Sequence, residues 1–147
     1  MAVAERKADV VWEGNLTQGS GTVTPGSGAF GTLAVTWASR TEDPNGRTSP
    51  EELIAAAHAS CYAMAFSNTL NSAGTPPERL NVTATCSLDR VDGKMKITAV
   101  RLDVHGKVPG LDQAGFAEAA TTAEQGCPVS NALRNNVEIT VNATLDQ

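Results

Sequence analysis

Apolar positions in the first forty residues come in short runs, at 10–13, 21–24 and 30–39, separated by the stretches GNLTQGSG and PGSG. That rhythm predicts three short strands joined as an antiparallel meander. Residues 41–47, TEDPNGR, gather Asp, Pro, Asn and Gly and read as a loop. The period then changes in TSPEELIAAAHASCYAMAFSNTLNSAG. Ser49 is placed to cap a helix, Pro50 suits its first position and Glu52 completes an S-x-x-E capping box. Gly74, followed by Pro76 and Pro77, ends a helix of about 22 residues. Its middle is apolar on every side, with Leu53, Ile54, Tyr62, Met64, Phe66 and Leu70 set among alanines. Such a helix is a buried one. Its small residues invite another helix to approach closely, and a partner chain is expected to supply cover that this chain is too short to give.

Downstream, Leu80, Val82, Ala84, Cys86 and Leu88 alternate with polar residues, as in a strand with one buried face, which makes Cys86 a core residue. After the VDGK turn, Met95 and Ile97 keep one phase while Val100, Leu102 and Val104 keep the other, so the hairpin's second strand is expected to bulge near Thr98 or Ala99. Residues 112–125 are rich in Ala and Glu around Phe116 and predict a second helix, broken at Gly126. CPVSNALR starts a short third one with Cys127 at a capping position before Pro128. Val137, Ile139, Val141, Ala143 and Leu145 give a last strand. The whole is an α+β arrangement without repeats or a dividing linker, read as a single domain over 1–147.

Composition narrows the function. At 147 residues, with 41% hydrophobic and 18% charged positions, the chain is neither disordered nor low in complexity. A net charge of −5 with no Lys/Arg cluster argues against nucleic acid and anionic membrane surfaces as partners. No apolar run is long enough to span a bilayer and the start, MAVAERKADV, lacks a secretory h-region, so a cytoplasmic location is expected.

Three cysteines, Cys61, Cys86 and Cys127, cannot all pair, and none lies in a CxxC. His58 and Cys61 share a helical face without further ligands close in sequence, so no metal or other cofactor is expected. Cys61, mid-helix, reads on its own as a small core residue whose burial would keep it a thiol unless a cation stood by. Cys127, beside a helix start, faces unpaired backbone N–H groups that favour thiolate. Glu51 and Glu52 complement the helix dipole, but only Glu52 has a capping task; Arg40 and Arg47 are the nearest cations along the chain.

Taken together, SPEELIAAAHASCYAMAF and the CPVSNAL that follows about 65 residues later resemble the osmotically inducible protein C and organic hydroperoxide resistance (OsmC/Ohr) family, and more closely its osmotically inducible branch. The W-E-G at Trp12 and GTVT at Gly21 extend the likeness over most of the chain. The resemblance implies a thiol peroxidase, an organic hydroperoxide reductase with peroxiredoxin-like activity. Cys61 matches the reactive cysteine and Cys127 the resolving one. The family's N-P-E glutamate falls on Glu51 in Ser49-Pro50-Glu51, and its S-R-F-E arginine on Arg40 in Ser39-Arg40-Thr41-Glu42. Thr41 replaces the Phe and the loop is about one residue longer, which keeps Arg47 as the alternative. The implied partners are an organic hydroperoxide, a dithiol reductant such as a lipoyl group, and a second copy of the chain. The implied fold is an intertwined homodimer with antiparallel sheets around paired central helices.

Helix geometry adds a constraint. Ten residues separate Glu51 from Cys61 along one helix, about 15 Å of rise, too far for a Glu side chain to span. If both serve one reaction, the helix lies antiparallel to its copy, with Glu51 of one subunit near Cys61 of the other. Arg40 is then expected to hold Cys61 as thiolate, its guanidinium fixed bidentately by Glu51 of the partner subunit. Phe30, Tyr62 and Phe66 are candidates for an apolar substrate wall or for ordinary core. The rival reading is a non-catalytic redox-sensing or structural dimer that uses the same cysteine pair.

Overall fold

The glycine-rich turns bend the first third of the chain into β1 (Ala8–Glu13), β2 (Ser20–Pro25) and β3 (Leu33–Val35), paired antiparallel in that order. The computed structural model describes residues 1–146. Two compact units make up the chain, Met1–Leu53 and the part that starts at Ile54.

In the first unit Trp12 stands opposite Gly21 in the β1–β2 register, and a Cβ at Gly21 would come within 2.7 Å of the indole. Only glycine leaves room for that ring. Positions 30–39 differ from the expected single strand. β3 stops at Val35, and Thr36 caps a short helix, α1 (Trp37–Thr41), through a capping box in which Thr36 Oγ1 accepts from Ser39 N–H and Ser39 Oγ accepts from Thr36 N–H. Arg40 therefore sits on a helical turn. After the exposed loop the chain returns to β3, where Thr48 N–H donates to the Ala34 carbonyl at 2.9 Å and Ser39 Oγ donates to the Thr48 carbonyl at 2.9 Å. That return fixes the start of α2 (Pro50–Ser72). Ser49 Oγ accepts the N–H of Glu52 at 3.1 Å, but the Glu52 carboxylate accepts from Thr48 Oγ1 at 2.8 Å. Ser49 therefore caps as expected, while the acidic half of the box is turned to Thr48.

In the second unit α2 buries one stripe, His58, Tyr62, Phe66 and Leu70, at the four-residue spacing of a helix face. Ala56, Ala57, Ser60 and Met64 are exposed, so within a single chain the helix is covered on one side only. β4 (Arg79–Val91) and β5 (Lys94–Lys107) form the expected ribbon, turned at Asp92 and Gly93, both with positive φ as a tight hairpin requires. The register steps from Ser87↔Ala99 to Leu88↔Ile97, leaving Thr98 as the extra residue, where the phase change in the sequence places it.

After α3 (Gln113–Gly126) and α4 (Pro128–Leu133), β6 (Glu138–Leu145) joins β5 parallel. The antiparallel expectation thus holds for the first sheet and for the ribbon, but not for β6: the α3–α4 excursion is a crossover connection that returns the chain in the direction of β5. Val100, Leu102 and Val104 are fully buried in one core with α2 and α3 residues, and the Phe116 and Phe66 rings pack tilted with centroids 4.9 Å apart. Gly106 on β5 makes room for Phe116, since a Cβ there would lie 2.4 Å from the ring. Cys86 packs, half-buried, against this core. Among the described residues no helix is long and apolar enough to cross a membrane.

Candidate active site

Two pairs of the expected site residues are assembled, one in each unit. In the second, the buried stripe of α2 faces α3 and α4 with Cys61 one turn after His58 and directly before Tyr62. The Cys127 thiol lies 3.3 Å from Cys61 Sγ. Both are free thiols; Cys127 is fully buried and Cys61 half-buried. Cys127 is the N-cap of α4 with Pro128 following, as the sequence indicates, and its side chain makes no capping bond. The backbone N–H of Val129, in the first turn of α4, acts on Cys61 and favours its thiolate. Burial nevertheless pushes the Cys61 thiol up, with the Val129 amide opposing and the adjacent Cys127 thiol adding to the rise. Within this unit Cys61 is therefore held as a thiol, and a nucleophilic role calls for a cation.

Around the sulfurs α2, α3 and α4 are tied by polar contacts. His58 Nε2 and Ser130 Oγ, both fully buried, are 2.7 Å apart. Tyr62 Oη donates to the Ala120 carbonyl at 2.8 Å. Arg134 closes the α3–α4 corner, with Nη1 2.9 Å from Glu124 Oε1 and Nη2 donating to the Glu124 carbonyl and to Asn131 Oδ1. Burial lowers the His58 pKa, opposed by the charge of Glu124. Among the described residues no three His, Cys, Asp or Glu side chains converge as a metal site would require.

In the first unit Arg40 Nε donates to Glu51 Oε1 at 2.7 Å and to Oε2 at 3.2 Å, and the Glu51 side chain is 9% exposed. The expectation that a partner's Glu51 fixes Arg40 is corrected here: the pair forms within one chain, because the Thr48–Ala34 return brings the first turn of α2 to α1. Nor is the contact a two-nitrogen fork, since Nε alone makes both bonds and the terminal nitrogens stand outside it. Arg47 lies in the exposed loop, its N–H bonded to the Pro44 carbonyl. The Arg40 guanidinium also lies 5.9 Å from the Trp37 ring centroid, within cation–π reach. Beside it opens an apolar cavity of about 190 Å³ lined by Trp12, Leu16, Val35, Trp37 and Pro50.

This lining was not foreseen. Of the aromatics considered, Tyr62 and Phe66 are core and Phe30 is exposed. In the sequence Trp12 belongs to a strand and to the W-E-G likeness, and Trp37 reads as a strand residue, although the Thr36-x-x-Ser39 spacing marks a helix start there.

The protein is an α+β one whose second unit brings two free thiols, 66 residues apart in sequence, into contact. Residues 43–142 match the family model described as OsmC-like protein, and the chain belongs to that family. It is 41% identical over 134 residues, 91% of this chain and 93% of the relative, to the peroxiredoxin OsmC of Escherichia coli K12. It is 31% identical over 97 residues, 64% of this chain and 65% of the relative, to an organic hydroperoxide resistance protein of Xanthomonas axonopodis pv. citri. Among solved structures, an organic hydroperoxide resistance protein OsmC from Legionella pneumophila superimposes with a TM-score of 0.76 at 26% identity, covering 98% of this chain and 99% of that one. The organic hydroperoxide resistance protein OhrB of Bacillus subtilis gives 0.75 at 25% identity, over 94% and 98%.

Proposed function

We propose that this protein is a thiol-dependent peroxidase that reduces organic hydroperoxides to alcohols through a Cys61–Cys127 cycle. The observation that carries the reading is the 3.3 Å approach of two thiols 66 residues apart in sequence. The Cys61 thiolate attacks a peroxide oxygen; the S–O bond forms, the O–O bond breaks, and the leaving alkoxide takes a proton to depart as alcohol. Cys127 then attacks the sulfenic sulfur, forming the disulfide and releasing water. A dithiol, lipoyl-type or similar, restores both thiols by exchange and leaves as its own disulfide. Such a cycle suits the reducing cytoplasm.

The cation that holds Cys61 as thiolate comes, in this reading, from a second copy. Glu51 and Cys61 are ten residues apart on α2, about 15 Å of rise, so the Arg40–Glu51 pair serves Cys61 of the other subunit across antiparallel α2 helices. Two features support the homodimer: the uncovered Ala56, Ala57, Ser60 and Met64 face of α2, and the exposed Val10, Val11 and Leu16 of the first unit. The family model crosses the boundary between the units, which supports reading 1–147 as one domain. The apolar cavity beside Arg40 would take the alkyl part of the substrate, favouring organic peroxides over hydrogen peroxide.

The test is peroxide consumption with excess dithiothreitol, comparing tert-butyl hydroperoxide with hydrogen peroxide for wild type, Cys61→Ser and Cys127→Ser. Turnover by the wild type that is lost in Cys61→Ser supports the proposal and excludes a non-catalytic dimer. Equal activity in Cys61→Ser refutes it.

A further inference from the structure

Two side-chain contacts join α2 to α4 and its N-cap, three residues apart on each side. Cys61 meets Cys127 at 3.3 Å, while His58, three residues before Cys61, meets Ser130, three residues after Cys127, at 2.7 Å. The sulfur contact must open and reform in every cycle. The imidazole–hydroxyl contact carries no redox chemistry and is fully buried, so water does not compete for it. Among the described residues His58 Nδ1 is buried with no hydrogen-bond partner, and the Ser130 hydroxyl is the polar group that meets the ring.

We infer that His58 and Ser130 are positioning residues for the resolving step, a fixed rung that keeps Cys127 at attack distance while Cys61 carries an adduct. This deepens, and rests on, the two-cysteine reading above. Its physical basis is effective concentration. α4 has six residues and only short connections, so without the rung Cys127 would sample positions away from Cys61, and small misplacements of a reacting group slow intramolecular reactions steeply.

A peroxide-free reaction tests the inference apart from peroxidase activity. Oxidised glutathione attacked by Cys61 gives a Cys61–glutathione mixed disulfide and releases one glutathione; Cys127 then attacks the Cys61 sulfur, forming the internal disulfide and releasing the second. Wild type, Ser130→Ala, His58→Ala and His58→Gln are equilibrated in glutathione redox buffers, and the ratio of internal to mixed disulfide is read by mass spectrometry. The expected ratio falls roughly tenfold or more in Ser130→Ala and His58→Ala. In His58→Gln, whose amide nitrogen can take the place of Nε2, it returns to within about twofold of wild type. Wild-type ratios in Ser130→Ala and His58→Ala overturn the inference while leaving the peroxidase reading intact. A lowered ratio in a protein that consumes no peroxide supports the rung and refutes the peroxidase. If either alanine variant fails to fold, nitrogen-15 shifts of His58 in the wild type decide: a hydrogen-bonded imidazole in both dithiol and disulfide forms is expected, and its loss on oxidation overturns the proposal.

Discussion

The thiols of Cys61 and Cys127, 3.3 Å apart, need close by only about 1 Å to reach a disulfide bond length. A Val129 amide hydrogen bond already favours the Cys61 thiolate. That amide is outweighed by burial, so the geometry is ready for bond formation before the charge is.

The missing charge makes the first expectation. Removing a cation at contact distance from a thiolate raises its pKa by about 1 to 3 units. In Arg40→Met the pH profile of Cys61 alkylation by iodoacetamide should shift upward by at least about one unit, with a roughly tenfold slower rate near neutrality. Arg47→Met, altering an exposed loop residue, should leave the profile in place. The reverse pattern would assign the role to Arg47.

Stability should fall on mild acidification because of His58. Its folded pKa lies below the unfolded value of 6.5, burial being the larger cause and the Glu124 charge opposing it. Below about pH 6.5 the unfolded chain binds a proton that the folded form resists, so the His58 contribution is complete above that pH and is lost as pH falls toward the folded value. Urea denaturation of wild type and His58→Gln at pH 7.5 and 5.5 reads the effect. The wild type should lose more stability than the variant between the two, and parallel losses would contradict the assignment.

Gly106→Ala probes the core beneath α3. The added methyl would meet the Phe116 ring, which also packs against Phe66 with centroids 4.9 Å apart. Overpacking of this kind costs about 1–3 kcal/mol, to be measured as a lowered denaturation midpoint with an unchanged slope.

The open face of α2 gives the next expectation. Met64, 69% exposed in the single chain, becomes an interface residue in the proposed dimer. Wild type should run at twice its chain mass of 15.2 kDa by light scattering, and Met64→Glu, placing a charge against that face in each copy, at the single mass. A monomeric wild type would contradict the proposal that Arg40 of one copy serves Cys61 of the other.

What the sequence disclosed was local. The Ser49–Pro50 start of α2, the Gly74 stop, the Cys127–Pro128 cap and the phase change at Thr98 are each written in a few neighbouring residues, and each appears where the pattern puts it. The two cysteine motifs were legible because both carry long stretches of context. Four things were not. Val35 to Trp37 has strand propensity, and the Thr36–Ser39 capping box overrides it. Alternation in β6 shows which residues face inward but not which way the strand runs. The Arg40–Glu51 pair depends on Thr48 returning to Ala34, and the His58–Ser130 rung depends on α4 lying against α2. Both are tertiary relationships that no spacing along the chain encodes.

The most direct measurement is a single turnover. Fully reduced protein receives one equivalent of tert-butyl hydroperoxide per chain without reductant, and its cysteines are mapped by peptide mass spectrometry. The two-cysteine cycle requires one peroxide consumed, one alcohol formed and one Cys61–Cys127 disulfide per chain, with Cys86 still reduced. Peroxide consumed while Cys61 and Cys127 remain thiols would contradict it.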